Sequence, residues 1–188
     1  MTERKFGKAL IDTKTLSDRV KQLAQQISRD YEGREILAIG VLKGASIFYS
    51  DLVRQIQVPV VLDFIQVKSY AGRTSSSGEV RMIAEPEFIG DMEGRHVLIV
   101  EDIVDSGVTM RYLQKILLAK GPASLRCVTL LDKPSRRRIQ VPVDYVGFTV
   151  PNVFVIGYGL DHAERYRNLP YIASLENAET NGGRGPAG

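Results

Sequence analysis

Cysteine is almost missing from this 188-residue chain, which holds Cys127 alone. An intramolecular disulfide is therefore excluded, and within the apolar run RCVTLL the thiol reads as packed and inert, in keeping with a reducing compartment. Tryptophan is absent and histidine occurs only twice. His96 and His162 share no zinc-site spacing, and neither pairs with a serine or cysteine in a nucleophilic triad, so both read as incidental. No apolar run approaches bilayer length, and the opening MTERKFGKALIDTK lacks the apolar centre of a signal peptide, so the expectation is a soluble, cytoplasmic protein with no membrane contact. The surplus charge of +3, with a pI near 9.0, suits phosphate-bearing small molecules and is too slight to indicate a nucleic-acid surface. Neither GxxxxGK[ST] nor GxGxxG follows a strand-like run, which disfavours nucleoside triphosphatases and dinucleotide enzymes.

What is present suits a globular core, with 44% hydrophobic and 25% charged residues. Leu16, Val20, Leu23 and Ile27 recur at helical spacing, with Thr15 and Asp18 as a capping box and Gly33 as a stop. EILAIGVL is an apolar run of the kind found in buried parallel strands, and SIFYSDLVRQI follows it as a helix. VPVVLDFIQVKSY predicts another strand, leading into the small, polar loop AGRTSSSGE. HVLIVED, IVDSGVT and MRYLQKILLAKG then predict a strand, a turn and a helix, and SLRCVTLLD, YVGFTV and VFVIGYGL three further strands. This alternation predicts an α/β fold with a largely parallel sheet flanked by helices. One domain over residues 1–176 is expected, with a disordered tail over 177–188.

The segment VLIVEDIVDSGVTM at residues 97–110 places Glu101 and Asp102 at a strand end, ahead of Asp105, Ser106, Gly107, Val108 and Thr109. In an open α/β sheet, ligands sit beyond the carboxyl ends of the strands, and a glycine loop entering a helix offers amides and a positive dipole end. A phosphate monoester fits there, with Ser106 and Thr109 as hydroxyl donors. Glu101 and Asp102 stand where ribose hydroxyls or a hydrated magnesium ion could be held. An acidic strand end before a capped helix is the plainer account of EDxxDSG alone.

This run resembles the phosphoribosyl pyrophosphate loop of type I phosphoribosyltransferases, and the flanking segments resemble the hypoxanthine-guanine enzymes. The resemblance spans roughly residues 36–172. It implies the type I phosphoribosyltransferase fold, with a small hood and a mobile flap loop at about 69–80 that begins at Ser69 and Tyr70 and shuts out water. It implies that VLKGAS carries a pyrophosphate loop at Lys43 and Gly44, with a cis peptide between Leu42 and Lys43. By the same resemblance Lys133 donates to purine O6, Phe154 stacks on the base and the Val155 backbone meets its edge. Asp161 holds metal beside the purine site, and Arg167 binds pyrophosphate. An ammonium only donates, which suits the oxo group of hypoxanthine or guanine rather than the amino group of adenine. Val108 and Val153 stand where human-type members carry lysine. Arg136, Arg137 and Arg138 read as a solvated basic face.

The implied reaction transfers the phosphoribosyl group of phosphoribosyl pyrophosphate to N9 of hypoxanthine or guanine, giving IMP or GMP and pyrophosphate. Asp105 takes or shares the N7 proton, and Mg2+ is held by Glu101, Asp102 and Asp161. A homodimer or homotetramer without nucleic acid is the expected assembly. The rival from another class is an RNA-binding attenuation regulator built on the same fold, which the purine-pocket residues and the low net charge disfavour.

Overall fold

The computed structural model describes residues 6–70, 79–84 and 92–175. Its elements run β1 (Phe6–Ile11), α1 (Thr13–Asp30), β2 (Ile36–Leu42), α2 (Ser46–Val53), β3 (Val60–Tyr70), β4 (Glu79–Ala84), β5 (His96–Val104), α3 (Val108–Leu118), β6 (Ser124–Asp132), β7 (Tyr145–Thr149), β8 (Val155–Ile156) and β9 (Ile172–Leu175). A 3-10 turn covers Pro134–Arg136. Six strands form the main sheet in the order β4-β3-β2-β5-β6-β7. Its five strands from β3 to β7 are parallel, and β4 adds an antiparallel edge to β3.

Both faces of this sheet are covered, which is why its central strands are continuously apolar rather than alternating. Leu16, Val20, Leu23 and Ile27 of α1, with Phe48 and Leu52 of α2, pack over Ile36, Ala38, Leu98, Val100, Val128 and Leu130. On the opposite face Met110, Leu113 and Leu117 of α3 pack over Leu37, Ile39, Val97, Ile99 and Cys127. Cys127 is fully buried, and desolvation pushes its thiol well above the ordinary range, consistent with an inert packing residue.

Several local expectations are corrected. The N-cap of α1 is Asp12, whose carboxylate accepts the Thr15 N–H at 2.7 Å. Thr15 and Asp18 lie inside the helix, where Asp18 pairs with Lys14 instead. The helix ends before Gly33, which occupies a left-handed turn beyond the Tyr31 C-cap. β5 continues through Ile103 and Val104, so the turn shrinks to residues 105–107. VFVIGYGL is a strand only at Val155–Ile156, because the chain then folds back through a Gly157–Leu160 bridge.

Strands β1, β9 and β8 form a second, three-stranded antiparallel sheet, the small hood that the resemblance implied. Residue pattern alone gave no strand for β1, β4 or β9. Ser69 and Tyr70 end β3 and pair with Val80 and Glu79 of β4. Residues 71–78 of the expected flap and the tail at 177–188 lie outside the described residues.

Leu98 is fully buried between β2 and β6 on the α1 face. Leu98→Ala is expected to cost about 2–5 kcal/mol of stability, read as a lowered urea midpoint at constant m-value. A midpoint within error of wild type would contradict this packing.

Candidate active site

β2 and β5 are adjacent and parallel, yet their onward connections depart in opposite directions, through α2 to β3 and through α3 to β6. This is a topological switch point, the crevice where open α/β sheets bind ligands. The turn after β2 touches the end of β5. A Cβ added to Gly44 would overlap the Asp102 carboxylate, so glycine lets the residue 43–45 turn pass beneath that acid without displacing it. The Leu42–Lys43 peptide in this turn is cis.

From the end of β5 the chain turns through Asp105, Ser106 and Gly107 into α3. Gly107 adopts φ 84° as the N-cap, and no side chain caps the helix. The Ser106 hydroxyl accepts the Val108 N–H at a long 3.4 Å. The first-turn amides and the helix dipole at this uncapped start can receive an anion, with Ser106 and Thr109 beside them as hydroxyl-bearing residues.

The loop after β6 braces this seat, and here the basic run proves to be more than a solvated face. Arg137 has a side chain only 8% exposed, pairs with Asp132 and donates to the Asp105 carbonyl at 3.1 Å. The N–H groups of Arg138 and Ile139 both donate to the Ser106 carbonyl. Arg136 Nε stands 2.9 Å from Asp105 Oδ1. That ion pair lacks hydrogen-bond alignment, so Oδ1 is buried with its acceptor capacity still open. Arg138 is exposed as expected.

Lys133, at the start of the same loop, is buried, and its ammonium donates to the Val153 carbonyl at 2.7 Å. Burial pushes it below the ordinary lysine range, the Asp105 charge opposing that shift and Arg136 reinforcing it. Val153 leads to Phe154, whose ring is 44% exposed although it lies in an apolar run. Its edge-on neighbour at 5.3 Å is His162, so this histidine is no bystander. Val155 is buried, and its strand pairs with β9.

The turn that follows the hood strand β8 supplies the remaining charges. Arg167 donates to the Gly159 carbonyl at 2.8 Å and pairs with Asp161 at 2.9 Å. Asp161 also accepts the Glu164 N–H at 2.8 Å. Glu164 pairs with Lys43 at 3.2 Å and with Arg167 at 3.3 Å, joining the hood to the turn after β2.

Glu101 is buried with Oε2 unpartnered. Desolvation, and then the neighbouring Asp102 charge, push its carboxyl well above the usual range; burial also raises Asp102. Among the described residues, no three His, Cys, Asp or Glu side chains converge as a metal cage. Magnesium commonly takes only one or two carboxylates and completes its shell with water and substrate phosphate. Asp161 and the Glu101–Asp102 pair fit an ion of that kind, and the orphaned Glu101 oxygen still lacks a donor or cation.

The structure thus gathers Lys43, Gly44, Glu101, Asp102, Asp105, the 106–109 turn, Lys133, Phe154, Asp161 and Arg167 around the loops at one end of the sheet and the hood beside it. The side chains of Ser69 and Tyr70 lie outside the described residues. Arg136, Arg137, His162 and Glu164 were not expected there. The only signal available was position, since each lies within five residues of an expected site residue.

Comparison with known proteins follows the same line. A family described as "Phosphoribosyl transferase domain" matches residues 7–163. The hypoxanthine-guanine phosphoribosyltransferase of Bacillus subtilis is 46% identical over 178 residues, covering 95% of this chain and 98% of that protein. The bifunctional protein TilS/HprT of Listeria monocytogenes is 47% identical over 169 residues. The match covers 90% of this chain but only 26% of that longer relative. A crystal structure of a hypoxanthine-guanine phosphoribosyltransferase from Bacillus anthracis, with HEPES in its active site, superposes with a TM-score of 0.87 at 44% identity. It covers 92% of this chain and 100% of that one.

Removing the Arg137 side chain strands the Asp132 carboxylate in a largely buried position and frees the Asp105 carbonyl. Arg137→Ala is therefore expected to cost about 3–5 kcal/mol, against no more than about 0.5 kcal/mol for Arg138→Ala on the exposed side of the same run. Equal denaturation midpoints for the two variants would refute the bracing role.

Proposed function

The chain belongs to the phosphoribosyl transferase domain family, and from that premise we propose that it transfers the 5-phosphoribosyl group of phosphoribosyl pyrophosphate to N9 of hypoxanthine or guanine. The products are IMP or GMP and pyrophosphate, which is purine salvage. The observation that carries the reading is Lys133, a buried ammonium aimed at the Val153 carbonyl, beside exposed Phe154 and within the field of Asp105. A lysine kept in such a place contributes donors only, and a 6-oxo group accepts them whereas a 6-amino group does not.

The remaining residues divide the substrate among them. The 106–109 turn seats the 5′-phosphate, and Glu101 and Asp102 accept hydrogen bonds from the ribose hydroxyls. Lys43, the Gly44 amide and Arg167 hold the pyrophosphate, with Ser69 and Tyr70 on the donor side at the end of β3. Phe154 stacks on the purine, and the Val155 backbone meets its edge. Asp105 receives the N7 proton as N9 attacks the anomeric carbon and the pyrophosphate bond breaks. Asp161 would hold magnesium on the pyrophosphate, and Glu101 with Asp102 a second ion through the ribose or water; bound there, magnesium offsets the charge that builds on the leaving group. A homodimer or homotetramer working in the cytoplasm belongs to the same proposal. For its part, no helix among the described residues is long and apolar enough to cross a membrane.

Pyrophosphate release should be measured with magnesium and donor against hypoxanthine, guanine, xanthine, adenine, uracil and orotate in parallel. Hypoxanthine and guanine are expected to exceed adenine by at least about 100-fold in kcat/KM; equal use of adenine would remove the role given to Lys133. Asp105→Asn is expected to lower kcat by roughly 100-fold or more with little change in the KM for the donor. An unaltered kcat would exclude proton transfer to this carboxylate.

A further inference from the structure

Glu164 has no part in the chemistry described above, yet it pairs with two cations of the proposed donor site. Its Oε2 stands 3.2 Å from Lys43 Nζ and 3.3 Å from Arg167, so one carboxylate oxygen bridges the two cations assigned to pyrophosphate. The turn that carries it is bent to put it there. Ala163 and Glu164 adopt φ 52° and 61°, consecutive left-handed positions without glycine, and Tyr166 adopts φ 78°. Such conformations persist only where their surroundings over-determine them, and they cluster at functional sites. The Glu164 amide is held by Asp161 Oδ2, which anchors the backbone while leaving the carboxylate at the surface, 67% exposed.

We propose that Glu164 is a displaceable stand-in for a diphosphate oxygen, seated on Lys43 and Arg167 in the ligand-free enzyme and expelled when the donor or product pyrophosphate binds. The proposal rests on the donor site described above and adds to it a built-in competitor. Four features favour it. The carboxylate carries the charge sign of the ligand and meets both cations through one atom, as a phosphate oxygen would. It is an incomplete ligand, because Arg167 Nε remains buried without a hydrogen-bond partner. A diphosphate has more oxygens to offer and outcompetes it. Its exposure makes expulsion cheap, since the leaving carboxylate swings into water and loses only screened ion pairs.

A competitor of this kind serves both directions of the cycle. While the site is empty Glu164 supplies the countercharge of Lys43 and shares Arg167 with Asp161, and after transfer the returning carboxylate helps pyrophosphate depart. Its consequence is a donor affinity held below what Lys43 and Arg167 alone would provide.

The test uses the intact chain with four variants, Glu164→Gln, Glu164→Asp, Lys43→Ala and the double variant Lys43→Ala/Glu164→Gln, and titrates pyrophosphate in the presence of magnesium by calorimetry. Glu164→Gln keeps the shape and removes the charge, and it is expected to tighten pyrophosphate binding about three- to tenfold, the scale of exposed ion pairs. Affinity for guanosine 5′-monophosphate should stay within about twofold, a selectivity that a general loosening of the turn would not produce. Glu164→Asp, with its charge on a shorter stem, should fall between wild type and Gln. In a Lys43→Ala background the gain from Glu164→Gln should shrink, as coupled partners require. Unchanged or weaker pyrophosphate binding by Glu164→Gln would overturn the proposal, and weaker binding would make Glu164 an auxiliary ligand instead. A wild-type chain that binds guanosine 5′-monophosphate but no pyrophosphate would sink the donor-site reading itself.

Discussion

Parallel pairing of β2 with β5, with Gly44 lying under the Asp102 carboxylate where no Cβ fits, is the constraint from which the rest of the site follows. It sets two backbone turns against each other at the switch point of the sheet. One turn carries Lys43, the other leads from Glu101 and Asp102 to the amides of α3. The separation of the groups on these two segments is fixed by a hydrogen-bonded ladder rather than by mobile side chains. The loop after β6 depends on the same ladder, because β6 pairs with β5 through Asp132 and so brings Lys133 and Arg137 beside Asp105.

The charges around this crevice are held in states that water would not favour. Desolvation raises Glu101 and Asp102 and lowers Lys133, even though Asp102 accepts the Ile103 N–H and Lys133 donates to the Val153 carbonyl. Polar groups fixed in advance cost no reorganisation at the moment of reaction, which is where electrostatic catalysis obtains its advantage. Ion pairs within the site offset part of this burden, through Arg136 on Asp105 and Glu164 on Lys43 and Arg167.

Legibility in the sequence tracked burial. EILAIGVL and HVLIVED declare themselves as strands because both of their faces are covered, and the amphipathic spacing of α1 and α3 marks what covers them. β1 and β9 pair with each other from opposite ends of the chain, FGKALI with IASL, and neither run is long or apolar enough to signal a strand unaided. The hood came into view through family resemblance, not through residue pattern. The three arginines after Lys133 illustrate the same limit. Composition treats them alike, yet Arg136 faces Asp105, Arg137 is sealed against Asp132 and Arg138 is exposed.

By itself the sequence determined the alternation of strand and helix, a turn between HVLIVED and MRYLQKILLAKG, and the family to which its motifs point. These are local properties, written in periodicity, glycine placement and short runs of specific residues. Only the tertiary structure decided that Gly44 meets Asp102, that Lys133 reaches Val153 and that His162 stands against Phe154. It likewise decided that Glu164 bridges Lys43 and Arg167. Each of those contacts joins residues brought together by strand order or by the fold of a turn, and linear spacing carries no record of which strand lies next to which.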